Sequence, residues 1–308
     1  MKIAVMGAGA VGSYYGALLA KTNQDVTFIG RGKRLEALRK NGLKIKSRFG
    51  NFELKSVNSA DSPAKVGKVD LILFTVKLYD GIKAAKTMKP MTKEDTMILP
   101  LQNPDMSRDI EKIIGEGKVF GGTTFVYVAV ESPGVISQTS DFQKIVFGEL
   151  TEKITPRGEK VKELFEKAGV TVVLTNNIQK ELWSKQIFIA PMFGIGSLVQ
   201  TGAGEFRNVP ETREILIRAM KEVEALARAK GVDLDKDIVE QKLKFIDNLH
   251  PDATTSMQRD VKAGRRSEGE EIFNKLIKTG KEVNVATPVF SFIYGMLKPR
   301  EIRARKSI

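Results

Sequence analysis

The chain has 308 residues, room for about two domains at roughly 100–200 residues each, and 42% of it is hydrophobic, which a disordered chain would not carry. It has no Cys and one His, which excludes a disulfide scaffold, a thiolate zinc site, an iron–sulfur cluster, a Cys nucleophile and any multi-His metal centre; no metal is expected. Fifty Lys and Arg oppose 37 Asp and Glu, a net charge of +13 that attracts anions such as phosphorylated cofactors or acidic metabolites.

The single His250 lies in Asn248-Leu249-His250-Pro251-Asp252 and reads as an exposed turn residue rather than a triad base. No apolar run reaches about 18 residues, and no basic stretch leading into an apolar core opens the chain. The expectation is a soluble cytoplasmic protein without membrane association. The basic residues are interleaved with acidic ones, and no zinc finger, RNP aromatic signature or basic zipper occurs, so nucleic acid is not an expected partner. The densest basic run, Lys298, Arg300, Arg303, Arg305 and Lys306, reads as a solvated, frayed tail.

In chain order, Lys2-Ile3-Ala4-Val5-Met6 predicts a strand, Gly7-Ala8-Gly9-Ala10-Val11-Gly12 a glycine turn, and Ser13 to Ala20 a helix. A second strand follows at Asp25–Ile29. This is G-x-G-x-x-G between strand and helix, the context that a dinucleotide fingerprint requires. Gly7 permits the tight turn, Gly9 the approach of a pyrophosphate, and Gly12 close packing of helix on strand. The N–H groups of Ala10, Val11 and Gly12 open the helix and suit an anion. The second strand ends at Gly30-Arg31, followed by Lys33 and Arg34, with no carboxylate before Glu36. A guanidinium binds a ribose 2′-phosphate with paired hydrogen bonds where a carboxylate would repel it, so NADP(H) is expected over NAD(H).

Further strands are predicted at Leu43–Ile45, Phe52–Val57, Val69–Phe74, Thr96–Leu99, across Val119–Val130, and at 134–137 and 144–148. Lys77 and Asn103 then fall beyond the carboxyl ends of strands, where open α/β sheets bind ligands. A helix at Glu159–Ala168 and a strand at Val170–Leu174 close this half. From Asn177 the period becomes helical: 178–199, kinked near Pro191, then about 211–230, 236–249, 255–262, 267–281 and 286–297. The predicted fold class is α/β: a Rossmann-type dinucleotide-binding domain over 1–176 followed by an all-helical domain over 177–308.

The glycine fingerprint with its basic follower, Lys77, Leu101-Gln102-Asn103, Glu181-Leu182-Trp183-Ser184-Lys185, Ser256-Met257-Gln258-Arg259-Asp260 and Arg266-Ser267-Glu268 together resemble the ketopantoate reductase family over nearly the whole chain. The resemblance implies hydride transfer from NADPH to the ketone of a small 2-oxo acid or related ketone, most simply 2-dehydropantoate, by a monomer or homodimer. It matches Lys185 to the catalytic Lys, Glu268 to a carboxylate that pairs with the substrate hydroxyl or orients that Lys, and Asn103 to an Asn contacting cofactor and Lys. Ser256 matches the hydroxyl that binds the substrate carboxylate, and Lys77 a Lys on the cofactor side. A cationic donor beside a ketone oxygen is what hydride addition needs, because negative charge builds there.

Two departures stand out. Pro104 replaces a glycine, and the four substrate-facing asparagines the resemblance implies are Ile189, Phe193, Ala203 and Ala253 here. Ile189 and Phe193 share a helical stripe with Lys185 at spacings of four. At ~1.5–3 kcal/mol per hydrogen bond to a charged group, two uncompensated losses weaken binding roughly a hundredfold to ten-thousandfold. The alternatives carried forward are a bulkier or more apolar carbonyl substrate and a non-catalytic NADP-binding sensor.

Overall fold

A computed structural model describes residues 1–306, which form two compact units, Met1–Ile178 and a second from Gln179 onward. The first begins β1 (Lys2–Met6), α1 (Ala10–Lys21), β2 (Asp25–Ile29), α2 (Gly32–Asn41), β3 (Leu43–Ser47), β4 (Phe52–Leu54) and β5 (Asn58–Ala60). It continues with β6 (Leu71–Phe74), α3 (Leu78–Thr87), β7 (Met97–Pro100), α4 (Ser107–Ile114), β8 (Phe120–Phe125), β9 (Val128–Ser132) and β10 (Val135–Gln138). β11 (Lys144–Glu149), α5 (Pro156–Lys167) and β12 (Thr171–Leu174) complete it.

Five strands form a parallel sheet in the order β5-β2-β1-β6-β7. The inner strands are wholly apolar: all four residues of β6 and of β7 are buried, as strands covered on both faces must be. The chain runs outward from β1 through β2 to β5, then crosses back to β6 on the other side of β1. That reversal opens a crevice at the carboxyl ends of β1 and β6. Register pairs Met6 with Phe74, so Gly7 and Thr75 stand level at its mouth. Two smaller sheets, β4-β3-β10-β9 and β12-β11-β8, account for the remaining strands. The run predicted across Val119–Val130 is two strands in different sheets, because the chain leaves the ladder after Phe125.

The second unit is helical: α6 (Ile178–Val199), α7 (Ala203–Asn208), α8 (Pro210–Ala229), α9 (Ile238–Asp247), α10 (Ser256–Lys262), α11 (Gly269–Val283) and α12 (Pro288–Lys306). α6 runs on past Pro191 to Val199. It is long and apolar enough to cross a membrane by length and composition, but 72% of its most apolar window is buried inside the protein, as befits a core helix.

The C-terminal tail corrects expectation. The last helix passes Leu297 and Pro299 and continues to Lys306, with Glu301 and Ala304 buried. Arg300, Arg303, Arg305 and Lys306 are exposed, half-buried Lys298 pairs with Glu270, and what anchors the end is the inward Leu297, Glu301 and Ala304 at helical spacing. Ser307 and Ile308 lie outside the described residues.

Candidate active site

The glycine turn has the geometry its residues demand. Gly7 adopts φ +107°, and a Cβ there would stand 2.8 Å from the Val76 nitrogen, backbone against backbone. A Cβ on Gly12 would fall on the Gly7 carbonyl oxygen and the Thr75 hydroxyl and lie 2.8 Å from the Val5 side chain. Gly9 differs: within 4 Å its Cβ would meet only the Arg34 guanidinium, at 3.9 Å. One glycine is closed by the backbone just past β6, one by the helix–strand contact, and the middle one faces open space. Gly9 also caps α1 with no side-chain acceptor, so the N–H groups of Ala10, Val11 and Gly12 emerge uncapped beside it.

Arg31 is the exposed N-cap of α2, two residues beyond β2, and buried Leu35 and Leu38 hold that helix down. Lys77 caps α3, three residues past β6, and is partly buried. Asn103 follows β7 at the same edge, precedes a cis bond to Pro104, and accepts a hydrogen bond from Thr123 Oγ1 at 3.3 Å. Gln102, not singled out from sequence, is 6% exposed and donates through Nε2 to the Val76 carbonyl at 2.7 Å. It ties the end of β7 to the segment carrying Lys77. Thr75 Oγ1 likewise donates to the Gly7 carbonyl at 2.8 Å. The predicted cofactor residues therefore converge on one edge, laced together by Thr75 and by Gln102, which the Leu101-Gln102-Asn103 motif contains but to which the sequence assigned no role.

In the second unit Lys185 lies mid-helix on α6 at 5% exposure, and burial lowers its ammonium pKa to about 7. Desolvation disfavours the charged form, leaving a group that holds or releases a proton near neutrality. Ile189 is half-buried and Phe193 is 5% exposed, so Phe193 is chiefly core. Ala203 and Ala253 are fifty positions apart in sequence yet meet, the Ala203 N–H donating to the Ala253 carbonyl at 3.0 Å. Ser256 opens α10, exposed, behind a capping box between Thr255 and Gln258. Gln258, 3% exposed, also donates to the Thr201 carbonyl at 2.8 Å, and its Oε1 would meet a Cβ on Gly196 at 2.7 Å. α10 is thereby pinned to the end of α6.

Glu268 is the N-cap of α11. Ser267 before it is fully buried; its hydroxyl donates to Glu301 and accepts from the Gly269 N–H at 3.3 Å. The other Glu301 oxygen accepts from the Ser267 N–H at 3.4 Å. A buried carboxylate 34 positions downstream thus holds the turn that presents Glu268. His250, by contrast, is exposed, its carbonyl closing a turn with the Ala253 N–H at 2.9 Å.

A five-stranded parallel sheet with a glycine cradle at its switch point, joined to a helical unit with a buried lysine, defines a Rossmann-type oxidoreductase. The chain belongs to the ketopantoate reductase family: residues 3–152 match the family described as Ketopantoate reductase PanE/ApbA and residues 177–301 its C-terminal counterpart. It is 30% identical to an uncharacterized oxidoreductase, YkpB, of Bacillus subtilis, over 98% of this chain and 99% of that one. It is also 30% identical to the 2-dehydropantoate 2-reductase of Pyrococcus horikoshii, over 98% of each. The solved 2-dehydropantoate 2-reductase of Geobacter metallireducens superposes with a TM-score of 0.91 at 29% identity, covering 97% of this chain and 99% of that one.

Proposed function

We propose that this chain reduces the ketone of a 2-oxo acid, with NADPH as hydride donor and 2-dehydropantoate as the substrate to try first. The observation that carries the reading is Lys185: a buried ammonium with a pKa of about 7, on the helix where the family resemblance calls for a proton donor.

The cofactor's fit rests on the cradle. Gly9 leaves open space where a pyrophosphate would approach, and the uncapped start of α1 offers N–H donors with the positive end of the helix dipole. Arg31 and Arg34 both follow β2, and the Arg34 guanidinium reaches the Gly9 loop, so the cations flank the region where a ribose phosphate would lie. This supports a 2′-phosphate over a free 2′-hydroxyl. Lys77 and Asn103 complete the cofactor edge. The reduced nicotinamide supplies the hydride when bound.

The chain's own residues handle the proton. As hydride reaches the ketone carbon, its oxygen gains negative charge, and Lys185 Nζ donates the proton that yields the hydroxyl. Near its pKa, Lys185 is protonated in a useful fraction of molecules and gives up its proton at low cost. Glu268, held by the Ser267–Glu301 contact, pairs with the substrate hydroxyl or orients Lys185. Ser256 donates to the substrate carboxylate.

A second reading, a bulkier or more apolar carbonyl substrate, is favoured by Ile189, half-buried one turn from Lys185 where an amide would have hydrogen-bonded. The experiment is to follow NADPH oxidation with 2-dehydropantoate and then with larger 2-oxo acids and ketones. Efficient turnover of 2-dehydropantoate supports the first reading. A better apolar substrate replaces it with the second. Saturable NADPH binding without turnover of any of them overturns both.

A further inference from the structure

Four neutral amides are missing from the helical unit, and a 2-oxo acid still carries a full negative charge. The structure shows what stands near Ser256 instead. α10 turns Met257 and Gln258 inward, both buried, so Ser256 and Arg259, one turn apart, share the outward face. Arg259 Nη1 donates to the Thr254 carbonyl at 3.0 Å and to the Thr254 hydroxyl at 3.1 Å, folding the guanidinium back toward the end of the helix where Ser256 sits. Nε and Nη2 make no hydrogen bond among the described residues, and no carboxylate there comes within 4.0 Å of the guanidinium. The nearest acid in sequence, Asp260, accepts from Arg265 Nε and Nη2 at 3.0 and 2.9 Å. Arg259 is itself exposed, and the protein on its inner side lowers its pKa from the usual range by partial desolvation. An exposed cation with two unused, forked donors, its third nitrogen fixed on Thr254, is set up for an anion from outside the chain.

We propose that Arg259 takes the carboxylate of the 2-oxo acid, together with Ser256 on the same face of α10, as a specificity-determining residue that replaces neutral amides with one charge. This rests on the reductase reading above. Two parallel charge-assisted hydrogen bonds do for a carboxylate what several neutral ones would, and they exclude uncharged ketones of the same shape.

The test compares 2-dehydropantoate with its lactone, which has the same carbon skeleton and no charge, as substrates of the wild-type protein, Arg259→Gln and Arg259→Lys with saturating NADPH. Arg259→Gln should raise KM for the acid about 100-fold, the order expected when one partner of a hydrogen-bonded charge pair is lost. Its kcat should stay within about threefold and its KM for the lactone unchanged, while Arg259→Lys recovers part of the loss. An unchanged KM for the acid, or equal rises for acid and lactone, overturns the proposal. If the wild type turns over neither compound, the reductase reading falls by itself, and calorimetric titration of 2-dehydropantoate into the protein with NADP⁺ decides the arginine. Binding that Arg259→Gln abolishes upholds it; no binding, or binding equal in both proteins, overturns it.

Discussion

The two units hold their candidate functional groups in different materials. In the first, the candidate cradle is mostly backbone: the Gly7 turn, the open face over Gly9, and the contact at Gly12 that admits no side chain. In the second, the candidates are side chains on helices: Lys185 with its lowered pKa, Glu268 at a helix start, Ser256 and Arg259 on one short exposed face. A turn made by close approach of main chain demands glycine at Gly7 and Gly12, where a Cβ would collide with its neighbours, whereas Gly9 faces open space. A surface made by side chains changes identity without disturbing the fold, and this chain has Ile189, Phe193, Ala203 and Ala253 where its family resemblance implies asparagine.

The sharpest way to break this contrast is Lys185→Met. If the side chain supplies the proton, kcat should fall about a thousandfold, while NADPH binding, which the proposal assigns to the first unit, stays unchanged. Wild-type kcat/KM for reduction should fall as pH rises above about 7, where the free Lys185 loses its proton. Stability should move the opposite way to activity. The folded pKa of about 7 lies below the ordinary value of 10.5, so between them the unfolded state binds more protons and wild-type stability rises with pH. The burial penalty is greatest below pH 7 and gone by about pH 10.5. At about 1.4 kcal/mol per pKa unit, Lys185→Met should therefore be more stable by up to several kcal/mol at neutral pH, with the gap closing in alkali. Urea unfolding of both proteins at several pH values reads this directly. A gap independent of pH would mean that burial does not lower the Lys185 pKa.

Gly12→Val asks the same of the backbone side. The added atoms meet the Gly7 carbonyl, the Thr75 hydroxyl and the Val5 side chain, and overpacking of this kind costs on the order of 1–3 kcal/mol or more. Lower stability together with lost NADPH affinity is expected. Retained affinity would show that the cradle is not where the cofactor sits.

A smaller effect belongs to Arg31→Ala combined with Arg34→Ala. KM for NADPH should rise about 10- to 100-fold, and KM for NADH by no more than about twofold, since only the 2′-phosphate is lost to recognition. Equal rises for both would place the cations elsewhere on the cofactor.

Glu301→Gln is the mildest. It keeps the shape and one acceptor but weakens the charged hydrogen bonds to Ser267, at about 1 kcal/mol or somewhat more. If Glu301 acts by presenting Glu268, kcat should drop severalfold with KM for NADPH unchanged and melting lowered by only a few degrees. A fall in stability with kcat intact would reduce Glu301 to a structural anchor.

How far the sequence could be read differs along the same line. The fingerprint was legible because a glycine turn between a strand and a helix is a local event, settled within a dozen residues. The helix over 255–262 was legible for the same reason, though its capping box between Thr255 and Gln258 and the bond that pins it to the end of α6 were not. The roles of Gln102 and Thr75 escaped notice because each acts through bonds across the sheet edge to residues distant in sequence. The tail misled because a charged surface conceals the buried stripe of Leu297, Glu301 and Ala304.

The sequence by itself determined the α/β fold class, the glycine turn between β1 and α1 and the cationic follower of β2, and it offered Lys185 as a candidate, all from spacing, residue type and family likeness. Only the tertiary structure decided that β6 returns to the other side of β1, that the Arg34 guanidinium reaches Gly9, that Glu301 grips Ser267 from 34 positions away, and that Lys185 is buried deeply enough for its pKa to fall to about 7. Strand order and desolvation depend on which distant segments pack together, and no local pattern in a chain contains that information.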